Sequence, residues 1–344
     1  MKTLPAFILG LVLLQAATAA PMGPITATPY ARTNILLRTS LKDDVASNVR
    51  WFGAKGDGIH DDTLAIQSAI SASESVYIPH GSYLTTGNIT IPPTCLKIFG
   101  DGNQPYPPGI FTFTDSPTDP NNSGTMIFNT GTNLLFAFST NFGGYSMFSF
   151  ELSGITAVHG DGVLKLPDGA TGNNVFIHDV SALRCTGTAF EFGSTDGLDP
   201  YSNGNAFINV VERLFIFECN IGVKNHCNSD TSIFNSTFWG CKTRSIEIRG
   251  ANTHVRGNFM ISKFGATTYE EDVKIVPTDY TTMGLASNIS IENNKFGSEE
   301  AVTNETRVKI RFGDDAIALA HPNWYIQSIK VARNYFHGPW TTNM

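Results

Sequence analysis

The sequence predicts an all-β solenoid, a parallel β-helix closed at its N-terminal end by one capping helix. Three observations carry this. A short in–out strand pattern recurs along the second half of the chain. Three cysteines hold the same place in successive repeats. A glycine-punctuated loop runs into a single amphipathic helix just ahead of the first short strands.

The loop is Trp51-Phe52-Gly53-Ala54-Lys55-Gly56-Asp57-Gly58-Ile59-His60-Asp61-Asp62-Thr63. Gly56 and Gly58 permit a tight turn. Asp61 or Asp62 can accept the first free amide hydrogens of a helix, and their charge suits its positive end. Leu64, Ala65, Ile66, Ala69 and Ile70 then form an apolar stripe at helical spacing, so a helix is expected from about Asp61 to Ala72. Its apolar face would cover strand edges and core at the solenoid end. Val76-Tyr77-Ile78 and Gly81-Ser82-Tyr83-Leu84 read as two short strands around a turn, and Leu96 to Gly102 as a third.

This order of loop, helix, Tyr77-Ile78-Pro79-His80-Gly81-Ser82-Tyr83 and Ile98-Phe99-Gly100-Asp101-Gly102 closely resembles the entry segment of the pectate-lyase superfamily, over about Val49 to Gly102. That superfamily includes rhamnogalacturonase- and epimerase-type proteins and many phage tailspikes. The resemblance implies a right-handed, single-stranded parallel β-helix from about residue 49 to 344. It implies no reaction, because the segment closes the end of the solenoid.

The repeats support the same fold independently. Asn174-Val-Phe-Ile-His-Asp, Asn205-Ala-Phe-Ile-Asn-Val, Asn252-Thr-His-Val-Arg-Gly, Asn288-Ile-Ser-Ile-Glu-Asn and Ser328-Ile-Lys-Val-Ala-Arg share a polar turn residue followed by alternation. Thr231-Ser-Ile-Phe-Asn-Ser fits imperfectly. Starts are roughly 22 to 40 residues apart, as coils with variable loops require. Cys185, Cys219 and Cys241 fall at one place in three successive coils. Stacked positions are ~4.8 Å apart, inside disulfide reach. Cys219 with Cys241 is the simplest pair; a column of buried thiols is the alternative.

Composition fits an exported solenoid. Lys2, the apolar run Leu4 to Leu14 and Ala17-Thr18-Ala19 read as a signal peptide over 1–19. Residues 20–48 read as an extended arm. No later segment is long and apolar enough to cross a membrane, so a secreted protein without a membrane partner is expected. The net charge of −7 gives no reason to expect nucleic acid. Five cysteines in an exported chain imply an oxidising setting. Asn88, Asn121, Asn235, Asn288 and Asn304 begin glycosylation sequons.

Outward positions of stacked strands make surface columns. The repeat register places Phe176 and His178, Phe207 and Asn209, Ser232 and Phe234, His254 and Arg256, Ser290 and Glu292, and Lys330 and Ala332 outside on one face. A second lane carries Glu247, Arg249, Lys274, Lys309 and Arg311. Aromatic faces stack on sugars, and His, Arg and Glu supply acid–base chemistry, so a polysaccharide is the expected partner. The candidate catalytic residues are His254, Arg256 and Glu292; Phe176, His178, Phe207 and Lys330 would bind substrate. In this register Glu292 and Glu247 are the only outward carboxylates, on different faces. That favours β-elimination of a uronate glycan, with Arg256 on the uronate carboxylate and His254 as base. A glycoside hydrolase, with Glu292 as acid, needs a second carboxyl group. A non-catalytic glycan-binding β-helix is the third reading. The superfamily's polygalacturonase series is not matched: Asn228-Ser229-Asp230 and Asp314-Asp315 lack an intervening Gly-His-Gly. No cofactor is expected, although Glu270-Glu271-Asp272 or Asp314-Asp315 would suit calcium.

Overall fold

The computed structural model describes residues 46–103, 115–139, 148–166, 172–193, 208–226, 230–262, 271–276, 278–279, 286–298, 308–313 and 324–337. The chain divides into two units, Met1–Asp44 and Val45–Met344, and every described residue belongs to the second. The expected signal peptide and nearly all of the arm therefore lie outside the described residues. Strand pairing begins at Ser47–Asn48, in register with Val76 and Tyr77. Among the described residues no helix is long and apolar enough to cross a membrane.

Each coil contributes up to three strands, and the fold is a parallel β-helix. The first face stacks Ser75–Ile78, Lys97–Gly100, the opening halves of Phe148–His159 and Gly172–Leu183, Ile208–Glu212, Asp230–Phe234, Thr253–Arg256, Ala286–Glu292 and Trp324–Ala332. The second face includes Thr125–Asn129, the closing halves of the two long strands, Phe215–Phe217, Thr237–Trp239, Phe259–Ser262 and Lys295–Ser298. The third, among the described residues, is an eight-stranded sheet from Ile89–Ile91 to Val308–Phe312. Among the described residues all pairing is parallel except Thr278–Asp279 against Trp324–Tyr325.

The core follows from alternation. On the first face Val76, Ile98, Leu152, Ile177, Val211, Ile233, Val255 and Ile291 are register partners and all buried. Each such side chain stabilises the fold by about 1.5–3 kcal/mol relative to exposure. Corners between first and second faces use left-handed residues: Gly154, Asp179, Arg213, Asn235, Gly257, Asn293 and Arg333. Inside this corner, buried Ser236, Asn258 and Asn294 form a polar ladder. Asn258 Oδ1 accepts from Ser236 N and Asn294 Oδ1 from Asn258 N, each near 3 Å. The amides donate back to the Ile233 and Val255 carbonyls. These groups would otherwise be buried without partners.

The capping helix spans Thr63–Ala72. Ile66, Ala69 and Ile70 are fully buried, but Leu64 is 80% exposed. The core-facing stripe is therefore narrower than expected. The two aspartates divide the loop's work. Asp61 Oδ1 accepts from Thr63 N at 2.9 Å. Asp62 makes no side-chain cap; its carboxylate turns back to Lys55 N and Gly56 N at 2.6 and 3.0 Å. Burial pushes the Asp62 carboxyl above its ordinary range despite those two amide bonds.

Cys185, Cys219 and Cys241 are buried at one place in three coils, each just after a left-handed corner residue, Arg184, Glu218 or Gly240. They stand as thiols, with no bond between Cys219 and Cys241, and the Cys219 sulfur is turned toward the coil of Cys185.

Candidate functional site

The first face presents two outward columns. One runs Lys97, Glu151, Phe176, Val210, Ser232, His254, Ser290, Lys330; the other runs Phe99, Ser153, His178, Glu212, Phe234, Arg256, Glu292, Ala332. His254, Arg256, Glu292, Phe176, His178 and Lys330 thus share one face. Phe207 lies outside the described residues. Asn209 is a correction: it is buried, in register with Val175 and Thr231, and its amide donates to Thr231 Oγ1 at 3.1 Å. Ile208, three residues after Asn205, takes the register place of Asn174, and that odd offset moves every side chain of the strand to the other face. Val210 and Glu212 take the outward places instead.

That slip hid a carboxylate, and the unread strand Phe148–His159 hid another. Among the described residues the outward carboxylates of the first face are Glu151, Glu212, Asp230 and Glu292, with Asp179 at the corner. In the N-terminal half they form one network. Glu151 Oε1 lies 2.9 Å from Lys97 Nζ and 3.2 Å from His178 Nε2. His178 Nδ1 is 2.6 Å from Asp179 Oδ2, and its ring stacks on Phe176 at 4.2 Å. Arg213 binds Asp179 through both Nε and Nη2, at 2.8 and 2.7 Å, and also pairs with Glu212. The Arg213 guanidinium holds the Asp179 carboxyl down at about 2. Burial acts to raise Glu151, but the hydrogen bonds from Lys97 and His178 outweigh it and keep it below its ordinary range.

The C-terminal half has a different balance. His254 Nδ1 lies 2.8 Å from Ser290 Oγ. Arg256 is exposed and two residues along the same strand, beside Glu292 in the next coil. Glu292 Oε1 is 2.6 Å from Lys330 Nζ, and that bond holds its pKa below the usual range. Arg256 and the corner residue Arg333 add to this field. One described carboxylate thus stands among Arg256, Lys330 and Arg333.

The alternative lane on the third face is already committed to internal pairing. Buried Glu247 pairs with His226 Nε2 at 2.8 Å and with Arg244. Burial would raise Glu247, but His226 and Arg244 hold it well below its ordinary range. Burial keeps His226 below its ordinary value. Glu271 lies 3.5 Å from Arg244 Nε and 3.2 Å from Arg311, and Asp272 lies 3.4 Å from Lys309. The calcium expectation at Glu271 and Asp272 is corrected accordingly: their partners are cationic side chains. Glu270, Asp314 and Asp315 lie outside the described residues. Among the described residues no group of three His, Cys, Asp or Glu is placed to hold a metal. Asn88, Asn121, Asn235 and Asn288 are exposed; Asn304 is outside the described residues.

The corner motif would have set the register from sequence. Asp179-Val-Ser-Ala-Leu, Arg213-Leu-Phe-Ile-Phe, Asn235-Ser-Thr-Phe-Trp and Gly257-Asn-Phe-Met-Ile align on their left-handed first residue. Counting back from Arg213 puts Glu212 outside.

The sequence model of the family described as rhamnogalacturonase A/epimerase, pectate lyase-like, matches residues 46–247. The chain belongs to this family. Among relatives, the preneck appendage protein of Bacillus phage PZA is 28% identical over 206 residues, 55% of this chain and 22% of the relative. A mannuronan C5-epimerase of Azotobacter vinelandii is 46% identical over 56 residues, 15% of this chain and 4% of the relative. The chain thus spans under a quarter of either relative. Among solved structures, the tailspike protein of E. coli bacteriophage HK620, in complex with pentasaccharide, aligns with a TM-score of 0.53 at 15% identity. It covers 89% of this chain and 59% of the tailspike, a likeness of fold.

Proposed function

We propose that this is a secreted β-helix that binds a uronate-containing glycan along the first face and cleaves it by β-elimination around His254 and Arg256. The observation that carries the reading is the C-terminal half of that face. Arg256 stands one outward position from His254, and the one described carboxylate beside them is held ionised by Lys330. Arg256 would neutralise the uronate carboxylate as negative charge develops there. In the tautomer whose Nδ1–H donates to Ser290 Oγ, 2.8 Å away, His254 would present an Nε2 lone pair to take the adjacent proton. The freed electron pair then forms the carbon–carbon double bond, and the glycosidic oxygen leaves with the pair of the broken bond and takes a proton from solvent. Glu292 is a poor general acid for hydrolysis, because Lys330 favours its charged form. The tailspike's complex with a pentasaccharide and the epimerase relative support a glycan as the class of partner.

A non-catalytic glycan-binding β-helix is the second reading. It is favoured by the network from Lys97 to Glu212, in which Glu151, Asp179 and Glu212 are each tied to a cation. A panel of uronate and neutral glycans decides between the two, with ultraviolet absorbance and reducing ends followed together. Unsaturated products establish elimination. Reducing ends without them establish hydrolysis and overturn the proposal. Saturable binding without products establishes the binder.

A further inference from the structure

The corner that carries the cysteines holds two of them in contact. Cys219 Sγ accepts from Cys185 N at 3.4 Å and lies 3.4 Å from Ala182 O. The sulfur is thus turned toward the coil of Cys185. Both residues are fully buried. The flanking strands fix their level, since Leu183 is in register with Phe217 and each cysteine follows two residues later. Neighbouring coils are ~4.8 Å apart, within the Cα range that a disulfide bridges. The position lies at a corner, just past the paired strands, where Arg184 N donates to Phe217 O and Asn220 N to Cys185 O, and these bonds hold the two coils at one level.

We infer that Cys185 and Cys219 are a disulfide site, oxidised as the chain folds outside the reducing interior of the cell. The chemistry is thiol–disulfide exchange with a small-molecule or protein disulfide. The Cys185–Cys219 sulfur–sulfur bond forms, the donor disulfide breaks and leaves as two thiols, and the two thiol protons balance them. Burial raises the Cys219 thiol well above its ordinary range, so the sealed coil reacts slowly. The bond therefore forms before neighbouring coils close over it. It would staple two coils of the solenoid that also carry His178 and Glu212 on the first face. The oxidising setting rests on the secretion reading, while the choice of pair rests on geometry alone.

The test separates these. Protein recovered from the exporting host, and protein refolded in a glutathione redox buffer, are each denatured with an alkylating agent and no reductant, then mapped by mass. A reductant-sensitive peptide joining Cys185 to Cys219, with Cys95 and Cys241 alkylated, is expected in both. Its presence only after glutathione refolding keeps the pair and contradicts the secretion reading. Alkylation of both residues in both samples, or a link from Cys219 to another cysteine, overturns the pair. Cys241→Ser should keep the link. Cys185→Ser should leave Cys219 alkylated and abolish the drop in Tm that reductant causes in the parent. If Cys185→Ser does not fold, the Cys241→Ser map still decides.

Discussion

Asp179 occupies a left-handed corner and receives two bonds from Arg213 and one from His178. Its ordinary pKa of 3.8 is lowered to about 2 in the folded chain. A depressed carboxylate stabilises the fold fully above its unfolded pKa, and that contribution is lost as pH falls through the folded one. Melting temperature should therefore decline between about pH 4 and pH 2. Asp179→Asn tolerates the corner, because asparagine adopts left-handed geometry readily. It should be less stable than the parent at pH 6, with the gap closing by pH 2. A constant gap would show that the Arg213 pairing contributes nothing to the folded state.

At the scale of elements, the capping helix and the asparagine ladder make opposite kinds of prediction. Ile66 is fully buried, so Ile66→Ala should cost about 2–5 kcal/mol in urea unfolding. Leu64 faces solvent, and Leu64→Ser should stay within about 0.5 kcal/mol. Comparable losses at both positions would contradict the helix's orientation. Asn294→Ala would strip partners from the Asn258 amide and the Val255 carbonyl. About 1–3 kcal/mol per stranded group is expected, read as a lower denaturant midpoint with an unchanged slope. These elements were unequally legible in the sequence. Local signals placed the helix within two residues and the strands around Tyr77 and Tyr83, because glycine turns and periodicity are properties of neighbours. Register was legible where a polar residue holds the place of Asn174, as at Asn252 and Asn288. It failed at Asn205, because Ile208, three residues further on, holds that place. Glu212 was lost with it. Glu151, Asp179 and Arg213 come together only through stacking of coils distant in sequence.

At the scale of the whole molecule, the solenoid turns a local alternation into an outward face whose chemistry changes along its length. The first coils carry rings and paired charges: Tyr77 and Phe99 stack at 5.3 Å, Phe176 lies on His178, and Lys97 joins Glu151. The later coils carry His254, Arg256, Lys330 and Arg333 around Glu292. The proposed division is binding on the first and chemistry on the second. The direct measurement is the initial rate of unsaturated-product formation on the glycan the protein cleaves, for the parent and for Arg256→Ala, with both shown folded by circular dichroism. Loss of about 10²–10³ in kcat is predicted, the cost of removing one donor to developing negative charge. An unchanged kcat in a folded Arg256→Ala protein would place the reacting centre elsewhere and contradict the account.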